Sequence, residues 1–182
     1  MLNNETNILE EEFKLLIRAV RNELFHLIIV QYNHYDLVEN VKKQLIEKYP
    51  SRNSNSFNLE EIDQNTFINE IFNCESGFVF LEKFELMFTE NFRSLAIGFN
   101  QRRDKFSVFP IQIIIFLPFD VQHIQNFKKK LPDVFSIINP IIQLKDTTFV
   151  TAQTTNINNE VENSEFANTD EAQQEIERIE ER

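Results

Sequence analysis

Apolar positions in this chain follow two alternating patterns: unbroken runs of strand length, and stripes at three- and four-residue spacing among charges. The strongest run is residues 110–118, Pro-Ile-Gln-Ile-Ile-Ile-Phe-Leu-Pro. A run that does not alternate apolar with polar predicts a strand covered on both faces, as in the centre of a parallel sheet. The two prolines fall at its ends, where a missing N–H removes no ladder bond. Similar runs predict strands at residues 24–30 and 77–81, with shorter ones at 57–59 and 141–144.

Between the strands lie helical stripes. Ile8, Leu9, Phe13, Leu16, Ile17 and Val20 predict an amphipathic helix over 8–23, and Leu37, Val38, Val41, Leu45, Ile46 and Tyr49 a second over 35–49, stopped by Pro50. Further helices are expected at 65–73, through most of 86–106, and at 121–131, whose last turn Lys128-Lys129-Lys130 complements the helix dipole. Residues 31–34 read as the turn after the first strand, 51–56 as a polar loop, and 132–136 as a turn or short helix. Alternating helix and strand predicts a three-layer α/β fold: a mostly parallel five-stranded sheet with helices on both faces, joined by right-handed crossovers.

Composition then separates a domain from a tail. Of the net charge of −11, the segment 151–182 carries −7 on nine acidic and two basic residues, with Asn, Thr and Gln filling most of the remainder. The expectation is one domain over 1–149 and a largely disordered acidic tail over 150–182, with a short helix at 171–181 that places Ala172, Ile176 and Ile179 on one face. The acidic balance argues against direct nucleic-acid binding, because phosphate neutralisation needs clustered Lys and Arg. A single cysteine, Cys74, excludes an internal disulfide and a cysteine-rich metal site, and predicts a reducing, cytoplasmic setting. The start of the chain lacks a signal peptide's basic and apolar regions, and no apolar run approaches the roughly 20 residues that span a bilayer. A membrane partner is therefore not expected.

Candidate chemistry belongs at the C-terminal ends of the strands, above all where the first strand turns into its helix. A phosphate-binding loop there needs glycines so that backbone amides can approach the phosphates, together with a lysine and a hydroxyl. Instead, residues 31–36 read Gln-Tyr-Asn-His-Tyr-Asp, and the chain's two glycines, Gly77 and Gly98, cannot build a dinucleotide turn. Glu82, ending the third strand, stands where a nucleotide hydrolase presents a carboxylate to magnesium, although a strand-end acid such as Glu82 or Glu85 is more often a helix cap or a solvated side chain. By position His34 can pair with Glu82 as acid and base. Arg102 and Arg103 can bind an anionic group or a partner, or simply end a charged helix. His26 reads as a strand residue, His123 as lying on a polar helix face, and Cys74 as a small core residue.

Together, the strand without a phosphate loop, Gly77-Phe78-Val79-Phe80-Leu81-Glu82, Asn100-Gln101-Arg102-Arg103-Asp104-Lys105-Phe106, the 110–118 strand and Leu131-Pro132-Asp133-Val134-Phe135-Ser136 carry a family likeness. Residues 24–144 resemble the degenerate P-loop, AAA/STAND-like domain that precedes tetratricopeptide repeats in many bacterial signalling and defence proteins. Phe116 and Phe135 stand where those relatives often have tryptophan. The resemblance implies a P-loop-NTPase-like fold without its Walker A loop, and it transfers no catalytic residue. An acidic tail in place of the repeats leads us to expect a stand-alone partner protein: a non-catalytic adaptor or regulatory subunit with no cofactor, binding another protein of the same complex through Arg102, Arg103, Ile176 and Ile179. The alternative is a divergent nucleotide-binding enzyme using His34, Glu82 and Arg102.

Overall fold

The computed structural model describes residues 2–145, with side chains from residue 11 onward. The expected tail, its helix and Ile176 and Ile179 lie outside the described residues. In order the elements are α1 (Leu2–Ala19), β1 (His26–Tyr32), α2 (Asp36–Lys48), β2 (Ser54–Asn58), α3 (Phe67–Phe72) and β3 (Gly77–Glu82). Two 3-10 turns follow (Phe84–Phe88 and Glu90–Phe92), then α4 (Arg93–Gln101), α5 (Arg103–Phe106), β4 (Ile111–Pro118), α6 (Val121–Lys130), α7 (Pro132–Phe135) and β5 (Ile141–Leu144). All five strands are parallel, in the order β2-β3-β4-β1-β5.

β4 is the centre of this sheet. It pairs with β1 (Ile29 opposite Ile115) and with β3 (Val79 opposite Ile113), and every residue from Ile111 to Leu117 is buried. Period-two alternation sends its side chains to two separate cores. Ile111, Ile113, Ile115 and Leu117 join Leu27, Ile29, Val79 and Leu81 beneath α3 to α7, where Phe67, Phe84, Phe99, Phe106 and Phe127 fill the space. Ile114 and Phe116 join Ile28, Val30, Phe78 and Phe80 beneath α1 and α2. Tyr32 and Tyr49 belong to this second layer, and Tyr35 packs edge-on against Tyr32.

Several boundaries differ from the sequence reading, each for a physical reason. Helix α1 stops at Ala19, not near residue 23: Arg21 N–H turns to the Arg18 carbonyl three residues back, and the Arg52 guanidinium then takes the carbonyls of Val20 (2.6 Å) and Arg21 (3.0 Å). β1 runs on through Gln31 and Tyr32, which are buried; the Gln31 side chain accepts a bond from Gln143 on β5. The polar segment Ser54–Asn58, expected to be mostly loop, is an edge strand, where only one side needs pairing. The stretch expected to be one helix through 86–106 is two 3-10 turns and two short helices, broken by the extended backbone of Thr89.

Candidate functional site

Tyr32 ends β1 opposite Pro118 of β4, and Glu82 ends β3 two residues short of that level (Leu81 is opposite Ile115), so these residues and the start of α2 border the strand-end crevice where such sheets hold ligands. Only residues 33–35 separate β1 from α2. Three residues cannot wrap a phosphate. The first turn of α2, whose N–H groups would attract an anion, already carries Asp36 and Glu39.

Glu82 is 5% exposed, neither a helix cap nor a solvated acid. One carboxylate oxygen accepts a short hydrogen bond from the Tyr35 hydroxyl, and the other accepts from the Lys42 ammonium at 2.7 Å. Lys42 also donates to Glu39 at 2.9 Å. The Tyr35 ring packs edge-on against Tyr32 at 6.1 Å and has the Lys83 ammonium 5.7 Å from its centroid. Lys83 itself adopts the left-handed backbone (φ 54°), which turns the chain sharply after β3.

The electrostatics follow from this packing. Burial alone would lower the Lys42 ammonium, but its hydrogen bonds to Glu82 and Glu39 outweigh it and hold its pKa above the usual lysine value. Tyr35 is raised first by its hydrogen bond to Glu82 and then by burial. Tyr32 is pushed up to about 12 by burial, with the Glu85 and Glu82 carboxylates adding to it. Glu85 keeps one buried carboxylate oxygen, Oε2, without a hydrogen-bond partner. Chemically this strand end is a closed Tyr–Glu–Lys network at the edge of an apolar sheet.

Of the residues singled out in the sequence, His34, Glu82, Glu85 and His123 come to this end of the sheet, and the structure does not join His34 to Glu82. The bonds to Glu82 come from Tyr35 and Lys42, while His34 Nδ1 lies 3.3 Å from the Asp36 carboxylate. Arg102 follows the C-terminal end of α4, the end that leads to the start of β4, and turns back to donate to the Gly98 carbonyl at 3.1 Å. Arg103 is engaged within the domain, donating to Ser136 (3.2 Å) and pairing with Asp104 (3.0 Å). His123 is half-buried, its Nδ1 3.0 Å from the Pro118 carbonyl, not on an open polar face. Cys74 is buried, its thiol pushed up by burial and by Glu70.

Sequence reasoning missed Tyr35, Glu39 and Lys42. A usable signal was present: a carboxylate ending a fully apolar strand needs a counter-charge, and Lys42 flanks the apolar stripe of Val38, Val41 and Leu45. Among the described residues no three His, Cys, Asp or Glu side chains are gathered as metal ligands, and no helix is long and apolar enough to cross a membrane.

No protein-family model matches the chain, and no curated protein matches its sequence. Solved structures are similar in fold. The Aeropyrum pernix ORC2 protein in its ADP form is 12% identical with a TM-score of 0.51, over 76% of this chain and 47% of that one. The A. pernix ORC1 protein in complex with DNA is 9% identical (TM-score 0.50; 78% and 45% covered), and NtrX from Brucella abortus is 12% identical (0.51; 79% and 36%). The chain thus spans less than half the length of each. At such identities the likeness is one of fold, and it assigns the sheet to the P-loop-NTPase-like α/β class.

Proposed function

We propose that this chain is a non-catalytic adaptor or regulatory subunit, a P-loop-NTPase-like domain that has lost its nucleotide chemistry and acts by binding another protein. The observation that carries this reading is the engaged state of the strand-end crevice. Its carboxylate, Glu82, is bonded by Tyr35 and Lys42, and the turn before α2 is only three residues long. A nucleotide would have to break a buried ion pair and supply its own phosphate cradle.

Titration with ATP and GTP in the presence of magnesium, read by calorimetry and thermal shift, tests the proposal; the expected result is no saturable binding. The second reading, a divergent nucleotide-binding enzyme, is favoured by a fold neighbour solved with ADP, and of the three residues expected for it only Glu82 stands at a strand end with its carboxylate engaged. Saturable binding that disappears in Glu82→Gln would establish it.

Partner contact is proposed at the exposed Arg102 side chain, at Arg103 and at the tail face of Ile176 and Ile179, with the acidic tail ordering on its partner. Removing residues 151–182 should weaken co-purification of that partner while helical content persists; unchanged capture removes the tail from the mechanism. A bacterial defence setting draws its support from the sequence resemblance alone.

A further inference from the structure

We infer that Lys42 is the resident cation of the strand-end crevice, an ammonium built into α2 that holds the position a divalent metal ion would otherwise take. The inference rests on the reading of the domain as free of nucleotide chemistry, and explains how its carboxylate stays satisfied.

Two carboxylate oxygens from different elements converge on one point: Glu82 Oε1 of β3 at 2.7 Å and Glu39 Oε1 of α2 at 2.9 Å from Lys42 Nζ. The cationic side chain is 16% exposed and the Glu82 side chain 6%, so that pair meets largely out of water, while Glu39, 59% exposed, joins it from the solvent side. One or two carboxylates completed by water are what a magnesium or manganese ion takes as protein ligands. Here a tethered ammonium meets the same two oxygens. Because it cannot diffuse away or be chelated, the pair is satisfied at any metal concentration, and a metal-bound polyphosphate arriving at the crevice finds its anchoring carboxylate already used.

The test uses the full chain and Mn2+, with binding followed by loss of the free-ion EPR signal and by melting temperature. Background binding by the acidic tail is common to every variant and cancels between them. Lys42→Ala should gain one Mn2+ equivalent over wild type, and Lys42→Ala/Glu82→Gln should lose that gain. At ten times the dissociation constant, the ion should shift the folding equilibrium of Lys42→Ala about tenfold toward the folded state. Should Lys42→Ala be unfolded in metal-free buffer, Mn2+-dependent recovery of helical circular dichroism reads the same quantity. Absence of both gain and recovery overturns the inference, as does Mn2+ binding by wild type that Glu82→Gln removes. Nucleotide binding by wild type would instead sink the proposed function, so the two failures are distinguishable.

Discussion

Replacing Lys42 by methionine strips the buried carboxylate of its counter-charge while keeping the length of the side chain. At the 2.7 Å separation of Lys42 and Glu82, the gross attraction is about 6 kcal/mol at an effective dielectric of about 20, most of it offset by the desolvation of both groups. Removing one member of a buried pair usually costs about 3–5 kcal/mol because the remaining charge is uncompensated. Water can reach this crevice past the partly exposed Lys42 and Tyr35, so we expect a loss of about 2–3 kcal/mol for Lys42→Met. Glu82→Gln should cost less, about 1–2 kcal/mol, since the amide oxygen still accepts from Tyr35 and Lys42 keeps Glu39. The double variant should cost about the same as Glu82→Gln alone, giving a coupling energy of about 2 kcal/mol. Urea unfolding of the four proteins, followed by far-ultraviolet circular dichroism, measures it. Repeating the cycle in about 0.5 M NaCl should leave most of the coupling in place, because buried pairs are poorly screened. A coupling below about 0.5 kcal/mol, or one erased by salt, would show that the crevice is solvated and refute the reasoning.

Gly77→Ala should cost about 3–5 kcal/mol: Gly77 has φ +94°, and an added Cβ would lie 2.2 Å from the Asn53 carbonyl oxygen that accepts from Phe78 N–H. Gly98→Ala, which meets only the flexible ends of Arg102 and Ile68, should stay within about 1 kcal/mol of wild type in the same melts. The Arg52 side chain is 8% exposed and stacks on the Tyr49 ring at 4.4 Å while bonding Val20, Arg21 and Gln112, so Arg52→Lys should lose about 2–4 kcal/mol in urea unfolding despite keeping its charge. In alkali, Tyr32, Tyr35 and Lys42 all have folded pKa values above their unfolded ones, near about 10. Their contribution to stability is therefore complete below about pH 10 and is lost as the pH rises through the folded values, about 12 for Tyr32. Phenolate absorbance in a Tyr49→Phe background should show both tyrosines neutral at about pH 11 until urea is added, and early ionisation of either contradicts the packing.

The layered architecture was legible because its cause is local. An apolar run with no alternation can only be covered on both faces, and β4 is buried from Ile111 to Leu117 as that logic requires. β3 and α6 were placed within a residue or two of their observed limits for similar reasons. Legibility ended where a residue's environment depends on elements distant in sequence. Ser54–Asn58 carries one large apolar residue and becomes a strand only because β3 offers it an edge. Lys42 and Lys43 look alike along the chain, yet Lys43 pairs loosely with Glu47 on the surface while Lys42 reaches β3, 40 positions away. The strand order brings α2 over the end of β3, and no local pattern encodes that order. The missing phosphate loop was readable because it concerns residue types; what fills the space was not, because it concerns partners.

The placement of the tyrosines has an optical consequence. The chain has three tyrosines and no tryptophan, and all three belong to or touch the layer beneath α1 and α2, while the opposite layer is filled by phenylalanine. Tyrosine emission is thus a built-in reporter for one side of the sheet, and backbone dichroism reports on both. If the two signals melt together, the sheet transmits cooperativity across its thickness; if emission changes first, the side carrying the Lys42 crevice opens as its own unit.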